Sequence, residues 1–138
     1  MPDDFDIHSF FDAVIRQDAE RLRHFFEPDA LIFWANANEQ FTVGEYIRAN
    51  CKYPGERSGG IEDFDIIKGY EKKIIFVART RNSDGAEART VSFIVFGDTE
   101  NELIQYLTEY WSDIGEPPEW RKNLNIGIRY KDIWNFDR

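Results

Sequence analysis

The sequence predicts an α+β fold in which helices lie against one face of a bent antiparallel sheet, and three observations lead there. The N-terminal third repeats apolar residues with helical spacing, the C-terminal half alternates in strand-like runs, and a helix with local stop signals at both ends sits between them. Helical runs followed by strand runs indicate an α+β arrangement, whereas a parallel sheet would alternate the two. The expected order is α-α-β-β-α-β-β-β-β.

After Phe5, apolar residues fall at Ile7, Phe10, Phe11, Val14 and Ile15, the spacing of one helix face. Asp18 is placed to cap a second, shorter helix carrying Leu22, Phe25 and Phe26. Glu27-Pro28-Asp29 should end it, because proline disfavours helical geometry in the residue before it. Ala30 to Ala35 reads as a first strand, Asn36-Ala37-Asn38-Glu39 as a loop, and Gln40-Phe41 as a short returning strand. Thr42 and Glu45 then form a capping box, each side chain satisfying the other's backbone N–H, and Pro54-Gly55 ends that helix.

Glu56 to Gly60, with Gly59 and Gly60 adjacent, is expected to be a mobile loop bordering any opening. Strands follow at Ile61 to Tyr70, Lys73 to Arg81, Glu87 to Phe96 and Leu103 to Trp111, and connections this short make neighbours antiparallel. Beyond Gly115-Glu116-Pro117-Pro118 come Trp120 and an aromatic tail, Tyr130, Trp134 and Phe136, expected to cover sheet or dimer surface.

A length of 138 residues suits one domain, 1–138. Acidic residues outnumber basic ones 26 to 17, a net charge of -9 that disfavours nucleic acid and anionic membrane surfaces. Cys51 has no second cysteine to pair with, and Met1-Pro2-Asp3-Asp4 has no secretory character, so a reducing cytoplasmic setting is expected. His8 and His24 lack ligand spacing, which argues against a metal, and Ser58-Gly59-Gly60 matches neither phosphate-binding loop. No apolar run approaches the roughly 20 residues of a membrane span.

Phe10-Phe11-Asp12-Ala13-Val14, Phe41-Thr42-Val43 leading into Tyr46 to Cys51, and Glu109-Tyr110-Trp111 followed by Pro118-Glu119-Trp120-Arg121 resemble the nuclear transport factor 2-like superfamily, in particular its SnoaL-like, polyketide cyclase-related branch of small bacterial proteins. The resemblance covers residues 5–121 and leaves 122–138 as a tail. It implies a sheet curved into a cone around the helices, a pocket inside the cone, and a homodimer formed sheet to sheet. It also implies chemistry without a cofactor, such as cyclisation, isomerisation, dehydration or epoxide hydrolysis. Enzymes of this superfamily often place a carboxylate base in the apolar cone, with a Tyr, Asp or His donor for an enolate-like oxygen.

The candidate residues follow from strand and helix spacing. Leu103, Gln105, Leu107, Glu109 and Trp111 share one strand face, and if that face looks inward, burial would raise the Glu109 pKa and suit it to act as a base. The competing reading packs this face on a partner or pairs Glu109 with an arginine, Arg79 or Arg89, and Arg89 is also counted among the ligand-binding residues. Asn50 approaches the interior if Ile47 does, and could orient a carbonyl; Cys51 beside it reads as a packed thiol. Trp34, Tyr53 and Trp111 would wall the pocket, with Glu39 a second acid at its mouth. The functional expectation is a small, largely apolar ligand and cofactor-independent acid/base chemistry. The alternative is a non-catalytic dimeric binding or assembly module.

Overall fold

Helix α1 (Ile7–Ile15) buries Ile7, Phe10, Phe11 and Val14, the apolar face read from the sequence, and its cap is Asp6, whose carboxylate accepts from the Ser9 N–H. The computed structural model describes residues 5–69, 71–98 and 102–130; Tyr70, Trp134 and Phe136 lie outside them. Asp18 caps α2 (Ala19–Arg23), which is shorter than expected. Phe25 and Phe26 leave the helix because the sheet captures them: the Phe25 carbonyl accepts from Ile104 N at 2.8 Å, and Phe26 opens β1 (Phe26–Trp34). Pro28 therefore interrupts a strand ladder, where the register shifts between Phe26 and Leu31. A 3-10 turn at Ala35–Ala37 leads into β2 (Glu39–Thr42), and α3 (Val43–Lys52) begins with the expected capping box.

The segment expected as a mobile loop is instead the start of β3 (Arg57–Ile67). Gly59 pairs with Thr80, and a Cβ there would come within 2.0 Å of the Arg79 carbonyl. Its φ of +142° is also a conformation that other residues rarely adopt. This glycine serves close backbone approach within a sheet. The remaining strands are β4 (Lys73–Asn82), β5 (Glu87–Phe96) and β6 (Ile104–Asp113), followed by the short α4 (Glu119–Lys122).

The six strands form one sheet in the order β2-β1-β6-β5-β4-β3, with α1 and α3 against its inner face. All pairings are antiparallel except β1 with β6, which run parallel and place Trp34 opposite Glu109. Inner-face residues Phe76, Ile94, Leu107 and Ile32 pack with Phe10 and Phe11, whose rings meet Phe76 edge-on at 6.4 and 5.9 Å. Each such aromatic pair contributes about 0.5–1.5 kcal/mol beyond its buried area. Among the described residues no helix is long and apolar enough to cross a membrane. The segment 125–130 runs beside Arg79, Arg89 and Ser112, yet Ile126, Ile128 and Tyr130 stay exposed, so it borders the sheet without burying its own apolar groups.

Candidate functional site

Strand parity carries Glu109 inside. On β6, Leu107 and Glu109 are buried while Tyr106 and Tyr110 face out. The expected alternation holds from Leu107 onward and fails before it, because a register shift opposite Val95 and Phe96 turns Ile104 inward in place of Leu103 and Gln105. Glu109 is 1% exposed. The parallel register presents Trp34, whose indole N–H donates to Oε1 at 3.0 Å, and the antiparallel register presents Ser92, whose hydroxyl donates to Oε2 at 3.2 Å. Thr90 and Ser92 hydroxyls lie 3.0 Å apart and extend this chain. Burial pushes the Glu109 carboxyl above its ordinary pKa, against the opposing pull of hydrogen bonds from Trp34, Ser92 and Trp111 and of the Arg57 charge.

Glu109 borders a cavity of about 300 Å³ between α3 and the inner face of the sheet. Trp34, Asn50, Tyr53 and Trp111 line it as well, so five of the six residues expected from sequence converge there. The sixth does not. Arg89 points to the outer face and pairs with Glu62 at 2.7 Å, and Arg79, also on the outer face, pairs with Glu87 at 3.0 Å. Neither is the partner of Glu109, because β4 and β5 alternate and the odd-numbered positions of both strands around these arginines face away from the helices. Glu39 is exposed in the β1–β2 ladder and does not line the cavity. The Cys51 thiol donates to the Gln17 carbonyl at 3.4 Å, and burial pushes its pKa up, as suits a packed thiol.

Sequence reasoning missed two residues that matter most here. Tyr46 lies one helical turn before Asn50 on α3 and is 1% exposed, and its buried hydroxyl has no hydrogen-bond partner. Its spacing from Asn50 was a usable signal. Arg57, at the start of β3, was hidden in the presumed loop. Its Nη2 donates to Asn50 Oδ1 at 2.7 Å and to the Val14 carbonyl at 3.4 Å, its guanidinium sits 4.9 Å from the Tyr53 ring centre, and its buried Nε has no partner. Among the described residues no carboxylate is within ion-pair distance of it, and burial lowers its pKa. Asn50 is 5% exposed and also donates from Nδ2 to the Val14 carbonyl at 2.9 Å. Both ends of its amide are therefore engaged, one with the Arg57 guanidinium and one with the Val14 carbonyl.

Asn82 also lines the cavity, and its buried Oδ1, beside Gly55, has no partner. A ligand oxygen could accept from Tyr46 and Arg57 while a proton moves to or from Glu109. Among the described residues no cluster of three or more His, Cys, Asp or Glu could hold a metal.

A six-stranded sheet folded over two helices, with a polar-lined cavity between them, defines an α+β cone with an interior cavity. The cone is the nuclear transport factor 2-like fold. No protein-family model and no curated protein matches the sequence, so the likeness is one of three-dimensional structure. A ketosteroid isomerase candidate from Kribbella flavida aligns over 94% of this chain and 89% of its own, with a TM-score of 0.68 and 20% identity. A nuclear transport factor 2-like protein of unknown function from Burkholderia xenovorans aligns over 88% and 91%, at 0.56 and 19%. A candidate SnoaL-like polyketide cyclase from Shewanella putrefaciens aligns over 74% and 83%, at 0.55 and 16%.

Proposed function

We propose that this protein binds a small carbonyl compound in the cone and transfers a proton beside that carbonyl without a cofactor, as an isomerase, cyclase or dehydratase does. The observation that carries this reading is that Tyr46, Arg57 and Glu109 line one cavity while Tyr46 Oη and Arg57 Nε, buried just beneath its surface, have no protein partner. A buried polar group left without a partner costs about 1–3 kcal/mol, and a ligand that draws Tyr46 Oη or Arg57 Nε into a hydrogen bond recovers part of that energy. Glu109, with its raised pKa, is the proton acceptor and donor, and Trp34 and Ser92 fix its orientation. Tyr46 and Arg57 stabilise the oxygen on which negative charge develops. The names carried by the Kribbella and Shewanella proteins agree with chemistry of this class.

Solvent deuterium incorporation tests it. A panel of small ketones and keto esters incubated in heavy water with the protein should include compounds that exchange an α-proton faster than with buffer alone. Glu109→Gln should fold and lose about 10²–10⁴-fold in that rate, the range for a positioned acid/base group. An unchanged rate rejects Glu109 as the catalyst.

A specific observation also favours association. Val91, Phe93, Tyr106 and Tyr110 are exposed together on the outer face of β5 and β6, and the Phe93 and Tyr110 rings touch edge-on at 6.1 Å. We propose that this face pairs with a second copy. Light scattering on the purified protein should give a dimer that Phe93→Glu splits, and a monomeric wild type rejects the pairing. An assembly role without catalysis would be this dimer with no exchange activity.

A further inference from the structure

We propose that the ligand is an organic acid whose carboxylate pairs with Arg57, a substrate class that rests on the proton-transfer reading above. Arg57 is the reason. A buried or half-buried arginine normally has a carboxylate against it, because an unpaired charge away from water is costly. Arg79 and Arg89 follow that rule, with carboxylate partners at 3.0 and 2.7 Å, and the half-buried Lys72 has one at 2.8 Å. Arg57 departs from it. Its protein partners are two neutral oxygens, Asn50 Oδ1 and the Val14 carbonyl, both reached from Nη2. Asn50 is held between Arg57 and the Val14 carbonyl, so it fixes the guanidinium without neutralising it.

The acids near the cavity do not supply the missing charge. Glu109 directs its two oxygens to Trp34 and Ser92 and makes no ion pair with Arg57, although each feels the other's charge. Glu87 is committed to Arg79 and Arg81, and Asp113 is exposed at the rim. A carboxylate on the ligand is thus the group that complements Arg57. The rest of the lining suits the remainder of such a molecule. Trp34, Tyr53 and Trp111 offer apolar and aromatic surface, and 300 Å³ equals about ten waters at roughly 30 Å³ each, which limits the ligand to a small acid.

Phenylacetate and 3-phenylpropanoate, titrated beside phenylacetamide and 3-phenylpropanamide, test the proposal. Trp34 and Trp111 fluorescence reports occupancy of the cavity, and the Arg57 Nε–H resonance in a ¹⁵N-labelled sample reports contact with the guanidinium. The acids should bind about tenfold or more tighter than the amides and shift that resonance. Arg57→Gln should erase the preference and Arg57→Lys should keep part of it. If Arg57→Gln does not fold, Asn50→Asp serves in its place: the new carboxylate neutralises Arg57 from within, and the acid-to-amide ratio should fall toward one. Equal binding of acids and amides by the wild type overturns the carboxylate assignment and leaves the carbonyl pocket standing. A ratio that survives both Arg57→Gln and Asn50→Asp overturns it too. Binding of neither series overturns it as well, while the deuterium exchange assay still judges the proton-transfer reading separately.

Discussion

Arg57 and Arg89 sit on opposite faces of one sheet, and the contrast between them separates structure from site. Arg89 has a carboxylate: Glu62 is buried beside it, accepts from Nε at 2.7 Å, and raises the pKa of the guanidinium above its ordinary value. Arg57 has neutral oxygens and an unpaired Nε, and its pKa is displaced downward by burial. The first arrangement is complete and asks nothing of a ligand. The second is stable enough to fold and remains unsatisfied, which is the condition expected where binding energy is reserved for another molecule. Exposure alone would not distinguish them, since both are intermediate.

Three substitutions sharpen the contrast. Tyr46→Phe should have the largest effect on function and nearly none on the fold. Its hydroxyl has no protein partner, so the unfolding free energy from urea denaturation should stay within about 0.5 kcal/mol of wild type or rise. The exchange rate should drop about 10²–10³-fold, as when one oxyanion donor is removed. Loss of stability with the rate retained would show that the hydroxyl is structural. Next comes Glu62→Ala, which removes the carboxylate partner of Arg89 on the outer face and should cost about 2–3 kcal/mol, a figure reduced from that for a fully buried pair because Arg89 is 27% exposed. Arg57→Met should cost less, about 1 kcal/mol, since it removes hydrogen bonds to neutral oxygens and no ion pair. If urea denaturation ranks Arg57→Met as the more damaging of the two, Arg57 is a structural residue and the distinction fails.

Much of this arrangement was legible in the sequence, and the exceptions have a common physical cause. The apolar spacing of α1, the capping box of α3 and the inward parity of Leu107, Glu109 and Trp111 are local properties, readable wherever a helix or strand is regular. The departures come from pairing between distant strands. Phe26 belongs to a strand because β6 receives it, Gly59 is compatible with a strand because β4 presses against it, and Ile104 replaces Gln105 inside because β5 and β6 slip by a residue. Arg89 is favoured and Arg57 overlooked for the same reason: the first four residues of β3, 57–60, read as a loop until β4 pairs with them, and the facing of β5 depends on its neighbours. The parallel contact of β1 with β6, which brings Trp34 to Glu109, joins residues 75 positions apart and has no local signature.

The smallest expected effect is on the pH dependence of stability, where Glu109 and Glu87 should act in opposite directions. Glu87 is held below its ordinary pKa of 4.5 by hydrogen bonds from Arg81 and Arg79, so it stabilises the fold above that pH and the contribution is lost on acidification. Glu109 is displaced upward from 4.5 by burial. Between 4.5 and its raised folded value the unfolded chain releases the Glu109 proton while the folded chain keeps it, so the folded state binds more protons and stability falls as pH rises through that window. Below the window Glu109 contributes no slope. Glu109→Gln removes the group, so the variant should gain on wild type as pH increases from 4.5, and its thermal midpoint should fall less steeply. Parallel curves for the two proteins across that range would mean that Glu109 titrates in the fold as it does in the unfolded chain, and the buried acid would lose its claim to a proton held ready for transfer.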